Sequence, residues 1–116
     1  MAAINLTRIK AVVFDMDGVL IDSEKFHRQS YNDVFKKQKL NIRLSDEDFK
    51  RFFGRGAKQI IFQLFKENSI KEDPIKYANL KDKRFREVIK KCAKPLPGVV
   101  ELMKELSKEY RLCVAS

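Results

Sequence analysis

Asp15 and Asp17 stand two residues apart at the end of an apolar run, Ile9-Lys10-Ala11-Val12-Val13-Phe14, and Gly18 follows at once. In extended chain that spacing puts both side chains on one side. Open α/β sheets gather their ligands at the carboxyl ends of strands. Two acids facing one point suit a divalent cation such as Mg²⁺, or a nucleophile paired with a proton donor. Asp and Gly are also common turn formers, so the bare Asp-x-Asp-Gly fits a solvated strand-end turn equally well.

Other residues capable of chemistry are scattered. His27 lies four residues after Ser23, and Gly54-Arg55-Gly56-Ala57-Lys58 places two cations around a glycine pair. Cys92 and Cys113 are too few and too far apart for a disulfide scaffold or a metal knuckle, and read as buried thiols on apolar stripes. The chain carries a net charge of +9, which first suggests nucleic acid. The charge is uneven: residues 1–35 sum to −1, residues 36–94 to +10 and residues 95–116 to zero. Within the basic stretch, Lys36-Lys37, Lys39, Lys50-Arg51, Lys81, Lys83-Arg84, Arg86 and Lys90-Lys91 read as solvated helix faces. No nucleic-acid motif accompanies them. A cationic surface also concentrates phosphorylated small molecules.

The elements that must position these residues follow from periodicity. The apolar run predicts a buried parallel strand near Arg8–Phe14, and a second is predicted over Tyr110–Ala115. Between them lie four helical stretches. Phe26, Tyr31, Val34 and Phe35 mark the first; Ser45-Asp46-Glu47-Asp48 caps a second through Phe49, Phe52 and Phe53. Ile60, Ile61, Leu64 and Phe65 mark the third; Asp73-Pro74 opens the fourth, striped by Tyr77, Phe85, Val88, Ile89 and Cys92. Lys94-Pro95-Leu96-Pro97-Gly98 is a linker, and Val99, Leu102, Met103 and Leu106 mark a fifth helix. Strand, crossover and strand imply an α/β parallel sheet, and four helices are too many for one crossover, so they form an inserted domain. No apolar run approaches the ~18–20 residues of a membrane span. No secretory signal opens the sequence. A cytoplasmic protein is the expectation.

The full string Asp15-Met16-Asp17-Gly18-Val19-Leu20-Ile21-Asp22-Ser23-Glu24 resembles the first motif of the haloacid dehalogenase superfamily, most closely its beta-phosphoglucomutase-like phosphatases and mutases. Pro95-Leu96-Pro97-Gly98 resembles the family's return to the core, and Leu112-Cys113-Val114-Ala115-Ser116 its second motif. The resemblance implies a Rossmann-like parallel-sheet core, of which 1–22 and 95–116 would be the first part, with a helical-bundle cap at 23–94.

It also implies a Mg²⁺-dependent phosphatase of a small phosphorylated metabolite. Asp15 would be the nucleophile that becomes an aspartyl-phosphate and Asp17 the proton donor and acceptor. Mg²⁺ would sit on the Asp15 carboxylate and the Asp17 carbonyl. Ser116 would bind the phosphoryl oxygens. His27 would lie near the hinge, and Gly54, Arg55 and Lys58 would form the cap loop that selects substrate. Asp22 and Glu24 read as polarising the start of the first helix. Mutases place an arginine a few residues after the loop glycine, whereas Arg55 follows Gly54 directly. The alternatives are a beta-phosphoglucomutase-type phosphomutase, or a non-catalytic basic module that binds nucleic acid or an acidic partner. The family's third and fourth motifs, one basic and one acidic, would follow Ser116, so these residues alone are expected to lack turnover.

Overall fold

The computed structural model describes residues 6–115. In chain order the elements are β1 (Ala11–Asp15), α1 (Glu24–Lys37), α2 (Asp46–Lys50), α3 (Ala57–Glu67), α4 (Pro74–Cys92), α5 (Val99–Ser107) and β2 (Arg111–Ala115). They form an α/β protein with a helical insertion. The chain divides into two compact units: one takes the residues up to Ser23 and those from Ala93 onward, the other Glu24–Cys92.

In the first unit β1 and β2 pair in parallel, with Ala11 opposite Arg111, Val13 opposite Cys113 and Asp15 opposite Ala115. Parallel neighbours require a long crossover, and α5 is its last piece, packed beside β2. The strands are not buried as their composition suggests. Val13 is 64% exposed and Val114 51% exposed, and α5 buries no residue. β-branched composition records suitability for a two-sided sheet, but burial needs neighbours on both faces. Among the described residues only α5 packs on this two-strand ribbon, which leaves Val12, Phe14 and Leu112 half-buried and Val13 open. Cys113 is therefore exposed, not buried.

The second unit has a continuous core. Tyr31, Val34 and Phe35 of α1 pack with Phe49 of α2, Phe52, four residues of α3 (Ile60, Ile61, Leu64, Phe65) and Tyr77 and Ala78 of α4. Aromatic edges interlock, with the Phe65 and Tyr77 rings T-shaped at 5.0 Å. Ser45 caps α2 through a reciprocal box, its hydroxyl accepting from the Asp48 amide while the Asp48 carboxylate accepts from the Ser45 amide. The loop before it is tied to α1 by Asn32, whose amide donates to the Leu44 carbonyl at 2.9 Å and whose oxygen accepts from the Leu44 N–H at 2.7 Å. α2 is shorter than its apolar residues suggest: it ends at Lys50, and Phe53 is 79% exposed. Cys92 is exposed too, one turn past Val88, the last buried residue of α4.

Candidate active site

Asp15 closes β1, and the following Met16 amide donates to the carbonyl of Ala115 at 3.2 Å, extending the pairing by one bond. The chain then turns back on itself. The Met16 carbonyl accepts from the amides of Leu20 (3.1 Å) and Ile21 (3.2 Å), and the Gly18 amide donates to Ile21 at 2.8 Å. Gly18 adopts φ +74°, a left-handed conformation that strains other L-residues. The Leu20 carbonyl accepts from Leu96 at 2.8 Å, which anchors the loop to the segment returning from the insertion.

This loop treats the two acids differently. The Ser23 hydroxyl donates to Asp17 Oδ1 at 2.6 Å, and Ser23 is 1% exposed. Among the described residues the Asp15 carboxylate makes no hydrogen bond or ion pair, and no amide donates to the Asp17 carbonyl. Two hard oxygen donors, the Asp15 carboxylate and the Asp17 carbonyl, thus remain available beside the strand end. They suit Mg²⁺, which is commonly bound by one or two carboxylates together with water and substrate oxygens. No group of three His, Cys, Asp or Glu side chains able to hold a metal occurs among the described residues. Ser116 lies outside the described residues.

The remaining candidates belong to the helical unit. The His27 ring on α1 stacks on Phe85 at 3.9 Å with an interplanar angle of 6°, and its Nδ1 lies 2.8 Å from Lys81 Nζ. Lys81 is 4% exposed, its Nζ 5.0 Å from the centroid of Tyr31 and 4.8 Å from that of Phe85, a correction to the solvated face expected of it. Burial, reinforced by the nearby Asp82 charge, pushes the Tyr31 phenol well above its ordinary value. Lys81 falls on the stripe Tyr77, Lys81, Phe85, Val88 of α4, the signal that identifies it. Ser23 has no such periodic mark: it reads as the residue before α1, and its bond to Asp17 depends on how the loop closes.

Gly54 takes φ +80° and turns the chain between α2 and α3. Arg55 donates to Gln63 Oε1 at 2.5 Å, and Lys58 stands in the first turn of α3. Arg55 and Lys58 line one open groove.

A model of the haloacid dehalogenase-like hydrolase family matches residues 12–116. A haloacid dehalogenase-like hydrolase domain-containing protein of Arabidopsis thaliana, At4g39970, is 31% identical over 99% of this chain and 46% of its own length. Protein CbbY of Rhodobacter capsulatus is 32% identical over 93% of this chain and 50% of its own length. The solved structure of CbbY from Rhodobacter sphaeroides in complex with xylulose-(1,5)bisphosphate superposes with a TM-score of 0.79 at 23% identity, covering 92% of this chain and 50% of that one. The chain spans about half the length of the curated relatives it matches.

Proposed function

The chain belongs to the haloacid dehalogenase-like hydrolase family, and from that membership we propose that it carries the nucleophile and the acid–base group of a Mg²⁺-dependent phosphatase acting on a small phosphorylated metabolite. The observation that most supports this reading is the unequal treatment of the two carboxylates: Asp15, at the strand end, has no hydrogen bond or ion pair among the described residues, and Asp17 is anchored by Ser23. Covalent phosphoryl transfer needs that inequality. The nucleophile must be ionised and accessible, and the acid–base group must be held in place while it exchanges a proton.

In the first step Asp15 Oδ attacks phosphorus, the bond to the ester oxygen breaks, and Asp17 protonates the departing oxygen. In the second, Asp17 takes a proton from water, which attacks the same phosphorus and releases the Asp15 carboxylate and inorganic phosphate. With Oδ1 accepting from Ser23, Oδ2 would be the oxygen that exchanges the proton. The Asp15 carboxylate and the Asp17 carbonyl would hold Mg²⁺, whose positive charge would let an anionic carboxylate meet an anionic phosphoryl group. Ser116 would donate to the phosphoryl oxygens. Arg55 and Lys58 would select among substrates. His27, held by Lys81 and Phe85, fits a structural place at the start of the cap.

The test uses the full-length protein with p-nitrophenyl phosphate and Mg²⁺. Asp15→Asn should abolish both turnover and transfer of labelled phosphate to the protein, because an amide offers no nucleophilic oxygen. Asp17→Asn should slow turnover by ~10²–10⁴-fold while labelled protein still forms. Near wild-type turnover by Asp15→Asn would eliminate the covalent route and leave the resemblance as fold alone.

A further inference from the structure

The proposed phosphatase chemistry uses only Arg55 and Lys58 among the many cations of the helical unit, and one surface of that unit carries a further cation beside exposed apolar side chains. The exposed face of α3 carries Lys58, Phe62 and Lys66 at successive helical turns. Phe62 is 63% exposed, and Ile75 in the first turn of α4 is 53% exposed. Together with Arg55 and Pro74 they line an open groove of about 750 Å³. Its rim holds three cations against one carboxylate, Asp73, whose oxygen already accepts from the Ile75 amide at 3.0 Å. The side chains of Lys58 and Lys66 make no ion pair or hydrogen bond with the described residues. One wall is fixed: Arg55 donates to Gln63, Gln63 donates to Glu67 at 2.9 Å, and Glu67 is clamped by Arg51.

We infer that the Phe62–Lys66–Ile75 part of this groove docks an acidic segment of a partner protein, one that places a bulky apolar side chain between Phe62 and Ile75 and a carboxylate toward Lys66. An exposed apolar floor within a polar rim marks an interaction surface rather than a solvated helix face. The sign of the rim sets the partner's sign, because charge complementarity steers encounter and rejects like-charged surfaces. A second copy of this chain presents the same cationic helical unit and is disfavoured on that ground. A single-stranded nucleic acid would need successive aromatic platforms, and this groove offers one ring with aliphatic neighbours.

The test is independent of phosphatase activity. The probe is a fluorescein-labelled amphipathic peptide with Leu at i, i+3, i+4 and i+7 and Glu elsewhere, followed by anisotropy with the full-length protein. Phe62→Ser and Ile75→Ser should each weaken binding by roughly tenfold, as loss of one largely buried apolar side chain does. Lys66→Glu should weaken it by several-fold and flatten its salt dependence. Lys36→Glu, an equal charge change at the end of α1, should alter it little. Replacing the peptide's Leu residues by Ser, or its Glu residues by Lys, should remove binding.

Equal losses from Lys36→Glu and Lys66→Glu, or undiminished binding of the Leu-free peptide, would reduce the effect to net charge and overturn the proposal. Unchanged affinity in a folded Phe62→Ser protein would overturn it as well. Tighter, Phe62-dependent binding of an oligothymidine would replace the acidic partner with single-stranded nucleic acid.

Discussion

The helical unit buries Tyr31, Phe35, Phe52 and Ile61 almost completely, whereas Ser23 is the only buried residue among the described residues of the strand-bearing unit. Each large apolar side chain taken fully out of water contributes roughly 1.5–3 kcal/mol, so the two units differ in the main source of stability. The unit that carries Asp15 and Asp17 holds its shape through backbone bonds: the β1–β2 pairing, the Met16 carbonyl that closes the loop, and the Leu20–Leu96 bond. Hydrogen bonds give direction but only about 0.5–1.5 kcal/mol each in net terms. Within these residues Asp15 and Asp17 are positioned by backbone and polar contacts, and packing energy is concentrated in the insertion. Among the described residues of the strand-bearing unit, the one buried side chain is that of Ser23, which bonds the candidate acid Asp17.

The largest effect that could break this comparison comes from the core. Phe35→Ala should destabilise the helical unit by roughly 3–5 kcal/mol, through lost transfer energy and an unfilled cavity. Val114→Ala on β2, half exposed, should change stability by no more than about 0.5 kcal/mol. Urea titrations followed by helical circular dichroism measure both. Comparable losses would mean that the strands bear on the stability of the helices far more than their exposure indicates.

A smaller effect sharpens the same contrast with a polar group. Asn32 substitutes for a strand partner by bonding both the amide and the carbonyl of Leu44, a residue 2% exposed. Asn32→Ala leaves both backbone groups without their partner and should cost roughly 1–3 kcal/mol. Hydrogen exchange of the Leu44 amide should accelerate by a matching factor. An unchanged rate would show that water replaces Asn32 without penalty, and would weaken the claim that this loop is held from α1.

How much of this was legible depends on how local each feature is. Phe26, Tyr31, Val34 and Phe35, and Ile60, Ile61, Leu64 and Phe65, declare their helices because an amphipathic face is encoded within one segment. The parallel pairing of β1 with β2 follows from the order of elements. The exposure of Val13, Val114 and Cys113 does not, since an apolar run specifies suitability for burial and says nothing about how many layers cover it. Asp15 at a strand end and the turn at Gly18 were readable from type and spacing. The Ser23–Asp17 bond was not, because it depends on the loop's backbone closure. Lys81 sat in plain view on an apolar stripe, and charge alone led to its assignment to solvent.

The smallest effect concerns an ion pair between two helices, with no counterpart among the described residues of the strand-bearing unit, where Lys108 pairs with Glu105 three residues before it. Arg51 donates twice to Glu67, at 2.8 Å from each terminal nitrogen, and so ties the end of α2 to the end of α3. These bonds, with a further one from Gln63, lower the Glu67 carboxyl from its ordinary 4.5 to about 2. A folded-state value below the unfolded one means that the unfolded chain binds the proton first as pH falls. The contribution is therefore complete above pH 4.5 and lost progressively as pH falls toward 2. Asp48, held by Ser45, shifts in the same direction and erodes over the acid range too. Glu67→Gln isolates the first effect: the wild-type urea midpoint should exceed the variant's near neutrality, and the two should converge at about pH 2. Both partners are open to solvent, so water and salt screen the pair and the gap should be small, narrowing further at high ionic strength. A gap independent of pH would assign the effect to packing of the Glu67 stem against Arg51, and the electrostatic tie between α2 and α3 would fall.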